Sequence, residues 1–213
     1  MGVKRILAVS FCLVLIVAAS GRAATIWNEG VSGDLSDNQA APNALAVAFG
    51  KNSIIGTAGG GNIQDWVSLQ VPAGLKLKQI VLAAYASTDA QGFTGFQPGV
   101  SFVGSPFVPG SYAGYAHFGT GATNPVVPTN LVGQDLLPIM ADPVAAAGST
   151  GFVPPLGPGT YTFLIQQLGA LTNYQFDYVV APEPSTMMLV GLGALALAPW
   201  LRRRAAIGHR LPT

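Results

Sequence analysis

The stretch GTYTFLIQQLGALTNYQFDYVV, residues 159–180, carries the two clearest secondary-structure signals of this chain. In both halves, aromatic and β-branched residues stand at every second position: Tyr161, Phe163 and Ile165 in the first half, and Tyr174, Phe176, Tyr178 and Val180 in the second. A period of two places successive side chains on opposite faces of a strand. The stretch therefore predicts two β-strands, each with one buried face.

Similar patterns indicate further short strands before this stretch, at residues 44–50, 53–56, 66–71, 79–85, 100–103 and 112–118. Residues 79–85 are a largely continuous apolar run, which predicts a buried central strand. Turn residues separate the segments, and we expect turns at Lys51–Asn52 and at Pro72–Ala73–Gly74.

Several short strands with Gly- and Pro-rich turns predict an all-β fold, a two-sheet sandwich of jelly-roll or Greek-key type. Residues 124–155 are the exception, because they are rich in Pro, Gly and Ala. Within them, residues 134–140 are expected to form a short helix or an irregular connection. No exact internal repeat is present, which argues against a solenoid or a propeller.

The N-terminal residues have the parts of a secretory signal peptide. Lys4 and Arg5 form a basic start, residues 6–19 are apolar, and Gly21–Arg22–Ala23 fits a cleavage site. We expect cleavage after Ala23, with cleavage after Ser20 as the alternative. The single cysteine, Cys12, lies in this segment, so the body that follows contains no disulfide and no catalytic thiol.

The C-terminal residues form a tail with three ordered parts: the Pro182, Glu183, Pro184 motif, the uncharged residues 184–201, and the cluster of Arg202, Arg203 and Arg204. A transmembrane helix needs about 20 apolar residues, with about 17 as a lower limit, so the uncharged part predicts a single short spanning helix. The arginines are expected to stay on the cytoplasmic side. The predicted domains are therefore a signal peptide (1–23), a β-sandwich body (24–181) and a sorting tail (182–213).

This order of parts resembles the PEP-CTERM sorting signal of exported proteins from Gram-negative bacteria that make extracellular polysaccharide. The resemblance implies an exosortase-type processing enzyme as a partner. It also implies attachment to the inner membrane before processing, a place at the cell surface or outside the cell afterwards, and extracellular polysaccharide as a further partner. The extension 205–213 departs from the pattern, since such tails usually end soon after the basic cluster. A plain C-terminal membrane anchor is the alternative.

The charge of the body argues against two classes of partner. Between residues 24 and 181, three lysines stand against eight acidic residues, a net charge of −5, although the whole chain carries +1. Nucleic-acid binding requires a basic patch, so we expect no nucleic-acid partner. The same composition offers no basic face to an anionic membrane surface.

The body also resembles bacterial pre-peptidase C-terminal-like β-sandwich domains. The resemblance rests on four motifs in order: Trp27–Asn28–Glu29 with residues 33–37, Gly59–Gly60–Gly61 with Asp65–Trp66, residues 71–74, and residues 157–161. It implies an accessory module of a secreted protein, with no catalytic residues to transfer.

Motifs for catalysis are absent from the body. Its one histidine, His117, has no Gly-x-Ser-x-Gly elbow to supply a nucleophile for a triad. Zinc requires several His or Cys ligands, which the body lacks. A phosphate-binding loop requires a lysine after its glycines, and none follows Gly59–Gly60–Gly61. We therefore expect that this protein is not an enzyme and that it binds no cofactor. A secreted hydrolase that uses two carboxylates is the alternative.

Calcium is a further candidate ligand, because it prefers oxygen atoms from loop residues. Glu29 lies among such residues, and our candidate ligands are Asp34, Asp37 and Asp65. Their spacing matches no EF-hand, and solvated turn residues are the alternative interpretation.

Sugar rings stack on exposed aromatic side chains, and five residues are candidates for such contacts: Trp27, Trp66, Tyr112, Tyr115 and Tyr174. The alternative for each is a place in the hydrophobic core. Three functions therefore compete: an exported, non-enzymatic surface or matrix protein with a structural or adhesive role, a carbohydrate-binding module, and a secreted hydrolase.

Overall fold

The alternating stretches of the sequence form two β-sheets that share one hydrophobic core. The computed structural model describes residues 21–124 and 128–183. The predicted transmembrane helix, Pro184, the arginine cluster and all but the last three residues of the predicted signal peptide lie outside these ranges. Among the described residues, no helix has both the length and the apolar character needed to cross a membrane.

Eleven strands and two short α-helices follow one another along the described part of the chain. In order they are β1 (Ala24–Asn28), α1 (Glu29–Ser32), β2 (Asn43–Ala46), β3 (Gly50–Ala58), β4 (Gln64–Val71), β5 (Leu75–Ala86), β6 (Gln91–Pro98), a 3-10 helix (Pro109–Ser111), β7 (Gly114–Gly119), β8 (Ala122–Thr123), β9 (Pro128–Thr129), α2 (Leu137–Ala141), β10 (Gly159–Gln166) and β11 (Thr172–Pro182).

The strands form a first sheet in the order β1-β3-β11-β5, a second sheet in the order β2-β4-β10-β6-β7, and a small β8-β9 pair. β1 pairs with β3 in parallel, and β2 pairs with β4 in parallel, whereas the other neighbours are antiparallel. The chain moves from one sheet to the other at each step from β3 to β6. The expectation of an all-β body is confirmed at this level: mostly strand, in two sheets, and consistent with a sandwich.

The core lies between the two sheets and is largely aromatic. The rings of Phe163 in the second sheet and Tyr178 in the first are 5.4 Å apart, and those of Phe118 and Phe176 are 5.0 Å apart. Each of these residues is fully or almost fully buried. The period of two explains the arrangement, since it turns one face of each strand inward and the other outward.

The predicted turn at Lys51–Asn52 is wrong, because both residues lie inside β3. The chain turns just before them, where Gly50 adopts a φ of 108° that favours glycine. The side chain of Asn52 holds this turn, since its amide donates to the carbonyl oxygens of Ala48 and Gly50. The polar Asn52 signals a turn in the sequence, but it stabilises that turn from the neighbouring strand.

Two further strand predictions need correction. Residues 79–85 belong to β5, which lies at one end of the first sheet and not at its centre. Residues 100–103 form a loop. Phe102 in this loop is nevertheless buried, because its ring packs 4.9 Å from that of Trp66 on the outer side of the second sheet.

Residues 124–155, which lack a strand pattern, contain the predicted short helix in the form of α2. The segment around α2 runs along the free edge of β5, where Asp135 pairs with Val81 and Leu156 pairs with Leu77. The edge strand is thereby covered, which explains why β5 has the apolar sequence of a central strand.

Candidate functional site

The predicted sorting segment begins as the last part of β11. Pro182 lies opposite Leu75 at the end of the β11-β5 ladder, and the backbone N–H of Glu183 donates to the carbonyl oxygen of Gly74 at 2.9 Å. Proline lacks a backbone donor and is tolerated at a strand end. The described compact unit covers Gly21–Glu183, so Pro182 and Glu183 of the motif belong to this unit. At its other end, the predicted cleavage residue Ala23 is exposed and lies directly before β1.

Three carboxyl groups converge beside β1 and β4. One oxygen from each of Glu29, Asp34 and Asp65 lies within 4.8 Å of the others. Glu29 is the first residue of α1, whose preceding residue Asn28 accepts a hydrogen bond from Gly30 N. Of the predicted calcium ligands, Asp34 and Asp65 are therefore brought together, whereas the exposed Asp37 is not part of this group.

Hydrogen bonds from the protein occupy this acidic cluster. Asn62 Nδ2 donates to both oxygens of Asp34 and to Oδ1 of Asp65. Oε2 of Glu29 accepts from the backbone N–H and the hydroxyl of Thr57. The Asn62 amide thus bridges two of the three carboxyl groups, and the calcium site stays a prediction.

Burial changes the proton affinity of the cluster. Asp65 is fully buried, and desolvation raises its pKa to about 8. The charges of Glu29 and Asp34 also raise this pKa, whereas the hydrogen bonds from Tyr174 and Asn62 lower it. Burial also raises the pKa of Glu29. Asp65 therefore keeps its proton near neutral pH, which reduces the repulsion among the three groups.

A second group of side chains covers the outer face of the second sheet. We call it the outer aromatic cluster, and it consists of Trp66, Phe93, Phe102, Tyr112, Tyr115 and Leu164. Gly95 of β6 makes room for it, since a Cβ there would lie 2.6 Å from the ring of Tyr112. The hydroxyl of Tyr112 donates to the carbonyl oxygen of Pro106, and that of Tyr115 to the carbonyl oxygen of Ala147.

Three of the five predicted sugar-stacking residues meet in this cluster, namely Trp66, Tyr112 and Tyr115. Trp66 and Tyr112 are buried and offer no free ring face, whereas Tyr115 and Phe93 are half-buried. The other two predicted residues lie elsewhere. Trp27 packs against the core, and Tyr174 lies in the core with its hydroxyl donating to Asp65 Oδ2 at 2.7 Å.

Two adjoining cavities open next to the outer aromatic cluster, and Phe93 and Gln166 line both. The first cavity, of about 210 Å³, is also lined by Phe107, Tyr112 and Tyr115. The second, of about 270 Å³, is also lined by Gln91, His117 and Leu168.

His117 lies beside this aromatic surface. Its ring is 5.8 Å from that of Phe93, and its Nδ1 is 3.2 Å from the carbonyl oxygen of Thr123. Its backbone N–H and carbonyl are bonded to the side chain of Asn124. None of these contacts of His117 involves a carboxylate, whereas a catalytic triad pairs its histidine with one.

Comparison with known proteins identifies the tail. Residues 180–205 match the family described as the PEP-CTERM protein-sorting motif. The chain carries this sorting motif. No curated protein and no solved structure matches the chain. The PEP-CTERM motif implies an exported protein that is anchored at the membrane before processing and handled by an exosortase-type enzyme.

Sequence reasoning did not identify Phe93, Phe107 and Gln166 as site residues. Gln166 occupies an outward position of an alternating strand, and glutamine is common at such positions, so its sequence carries no specific signal. Phe107 lies in a loop next to Pro106, where neither the two-residue period of a strand nor the 3.6-residue period of a helix applies. Strand pairing brings Phe93 and Gln166 to one surface, and the loop that contains Phe107 completes it.

Proposed function

We propose that this protein is a non-enzymatic protein of the cell surface or extracellular matrix of a Gram-negative-type bacterium, with a structural or adhesive role. The PEP-CTERM match at residues 180–205 carries the proposal, because the motif implies export and processing. In this proposal the N-terminal residues 1–23 direct export, the body at 24–181 remains, and the tail at 182–213 is removed.

The body is suited to a role that does not require chemistry. Its acidic cluster is closed by Asn62, and Asp65 has no exposed surface with which to meet a substrate. His117 bonds to carbonyl and amide groups. These contacts support a binding or structural role over the alternative of a secreted hydrolase.

We further infer a jelly-roll arrangement of the body. Successive strands β3, β4, β5 and β6 alternate between sheets, and β11 lies between β3 and β5 while β10 lies between β4 and β6. This order is the one expected when a long hairpin folds over into two sheets. The resemblance to pre-peptidase C-terminal-like domains stays a prediction, and it implies that the body is an accessory module.

A carbohydrate-binding module is the second candidate function. The observation that favours it is the half-buried pair Phe93 and Tyr115 next to the two cavities, since aromatic rings at a cavity wall are surfaces for sugar stacking. Extracellular polysaccharide would be the partner in this case.

Mass spectrometry of both chain ends, in membrane and extracellular fractions of a host with an exosortase-type enzyme, tests the lead proposal. We expect extracellular chains to end near residues 182–185, and a variant with three alanines at 182–184 to keep Arg202–Arg204 in the membrane fraction. Alanines at the exposed residues 142–144, which follow α2, serve as a matched control and should leave processing intact. Unchanged tail removal in the 182–184 variant would show that the motif is not the processing signal.

A further inference from the structure

The amide of Gln166 is the most unusual polar group at the paired cavities. The residue is 5% exposed, yet its Nε2 has no hydrogen-bond partner, one of two such buried side-chain atoms in the described ranges. More than about 90% of buried polar groups are paired, and an unpaired one costs about 1–3 kcal/mol. Because Gln166 lines both cavities, this side chain borders the space that a bound molecule would occupy.

Strand register places a ring and an acceptor next to this donor. Gln166 of β10 lies opposite Phe93 of β6, and Phe93 lies opposite His117 of β7. The three side chains therefore form a row across the outer face of the sheet. Neighbouring strands lie about 4.7–4.9 Å apart, so the backbones at the two ends of the row are roughly 10 Å apart. One sugar ring with a hydrogen-bonded hydroxyl on each side is of this size.

His117 supplies the acceptor of the row. Its Nδ1 contacts the carbonyl oxygen of Thr123, and a carbonyl can only accept, so Nδ1 carries the hydrogen. In the neutral form of the ring, Nε2 is then an acceptor, and His117 lines the second cavity. A hydroxyl group can both accept from an amide and donate to an imidazole, which fits the two ends of the row.

The walls of the cavities exclude a charged ligand. None of the residues that line either cavity is Asp, Glu, Lys or Arg. An anionic group would find no counter-charge there, and desolvating it would be costly. Each cavity is also smaller than the range of about 300–1,000 Å³ that is common for drug-sized ligands, so it suits a single ring.

We propose that this row binds one neutral hexose unit of a saccharide. Gln166 Nε2 donates to one sugar hydroxyl, the ring of Phe93 packs against the apolar C–H face, and His117 Nε2 accepts from another hydroxyl. The inference specifies a site for the carbohydrate-binding candidate above and rests on it, but it does not depend on tail processing.

Titration of the full-length chain in detergent with three neutral probes, cellohexaose, mannohexaose and galactohexaose, tests the site, with hexagalacturonic acid as the charged comparison. We expect millimolar or tighter binding of at least one neutral probe and no binding of the charged one. Gln166→Met removes the donor at similar length, so we expect at least tenfold weaker binding. Its melting temperature should not fall, because the variant removes an unpaired buried donor.

Gln70→Met is the matched control, since Gln70 is an exposed glutamine on the neighbouring strand β4 and should leave binding unchanged. Equal binding by Gln166→Met and wild type would overturn the site while leaving carbohydrate binding in place. Absence of binding to all four saccharides would overturn the site and the carbohydrate candidate together. Binding of hexagalacturonic acid alone would overturn the neutral-hexose site and leave carbohydrate binding in place. None of these outcomes bears on tail removal, which mass spectrometry tests separately.

Discussion

Tyr178 is a residue whose polar group the fold leaves without a partner. Its side chain is fully buried against Phe163, and its hydroxyl has no hydrogen bond. Removing an unpaired buried group of this kind is neutral or stabilising. We therefore expect Tyr178→Phe to keep or raise the melting temperature in thermal unfolding.

Tyr174→Phe provides the contrast, because Tyr174 donates to the buried Asp65 at 2.7 Å. Loss of this bond should lower the free energy of unfolding by about 1–3 kcal/mol. Equal losses of stability in Tyr174→Phe and Tyr178→Phe would contradict the hydrogen-bond assignment.

Asp65 should make stability depend on pH. Its pKa is about 8 in the folded protein and about 3.9 in an unfolded chain. Between these values the folded state binds the additional proton, so its contribution to stability is complete below about pH 4 and is lost as the pH rises through about 8. We expect the melting temperature of the wild type to fall over this interval.

Asp65→Asn keeps a neutral group of similar shape at this position. We expect a flatter pH dependence than the wild type, with the largest gain in relative stability above about pH 8, measured by thermal unfolding at a series of pH values. The charged and titratable neighbours Glu29, Asp34 and Tyr174 are unchanged in this variant, so the difference reports on Asp65. Parallel curves for the two proteins would show that Asp65 is already ionised at neutral pH.

At the scale of elements, β6 illustrates how a strand can support a surface layer. Gly95 faces outward, and a methyl group there would lie 2.6 Å from the ring of Tyr112 and 3.1 Å from Tyr115 Cβ. Gly95→Ala should displace Tyr112 and lower the free energy of unfolding by about 1–3 kcal/mol, as measured by urea denaturation.

Gly157→Ala is the control for this substitution, because no atom lies within 4 Å of the added Cβ and the backbone there is not left-handed. Its stability should stay close to that of the wild type. If Gly95→Ala were equally harmless, Tyr112 would not be packed against β6 as described.

The elements also show how far sequence patterns extend. Alternation correctly predicted β4, β10 and β11, because a two-residue period is a local property of the chain. The pattern at residues 100–103 gave a false strand, and the continuous apolar run at residues 79–85 led to a wrong place for β5 at the centre of a sheet. Both errors have the same cause: burial by distant segments produces apolar sequence in a loop or an edge strand as well as in a central strand.

For the whole molecule, the end of the folded body should decide how much of the tail can be removed. β11 pairs with β5 as far as Pro182, and Val180 is buried in the core. A chain of residues 21–183 should therefore unfold cooperatively. A chain of residues 21–178 should be less stable by more than about 3 kcal/mol, since it loses a buried side chain and the final ladder bonds.

Denaturant unfolding of the two truncated chains checks this expectation, with the full-length chain in detergent as the reference. Processing at or after Pro182 would then release an intact body, which agrees with the place of the sorting motif at residues 180–205. Equal stability of the two truncated chains would mean that the last residues of β11 add nothing to the fold.

The sequence by itself determined the mostly β character of the body, its principal strands and the order of parts in the sorting tail. These features depend on composition, local periodicity and motifs that are contiguous in the chain. Only the tertiary structure decided which acidic residues meet, with Glu29 and not Asp37 beside Asp34 and Asp65. It also decided that Gln166, Phe93 and His117 share one row. Strand pairing joins residues far apart in the chain, and the hydrogen-bond partners of a buried group exist only once that pairing has formed.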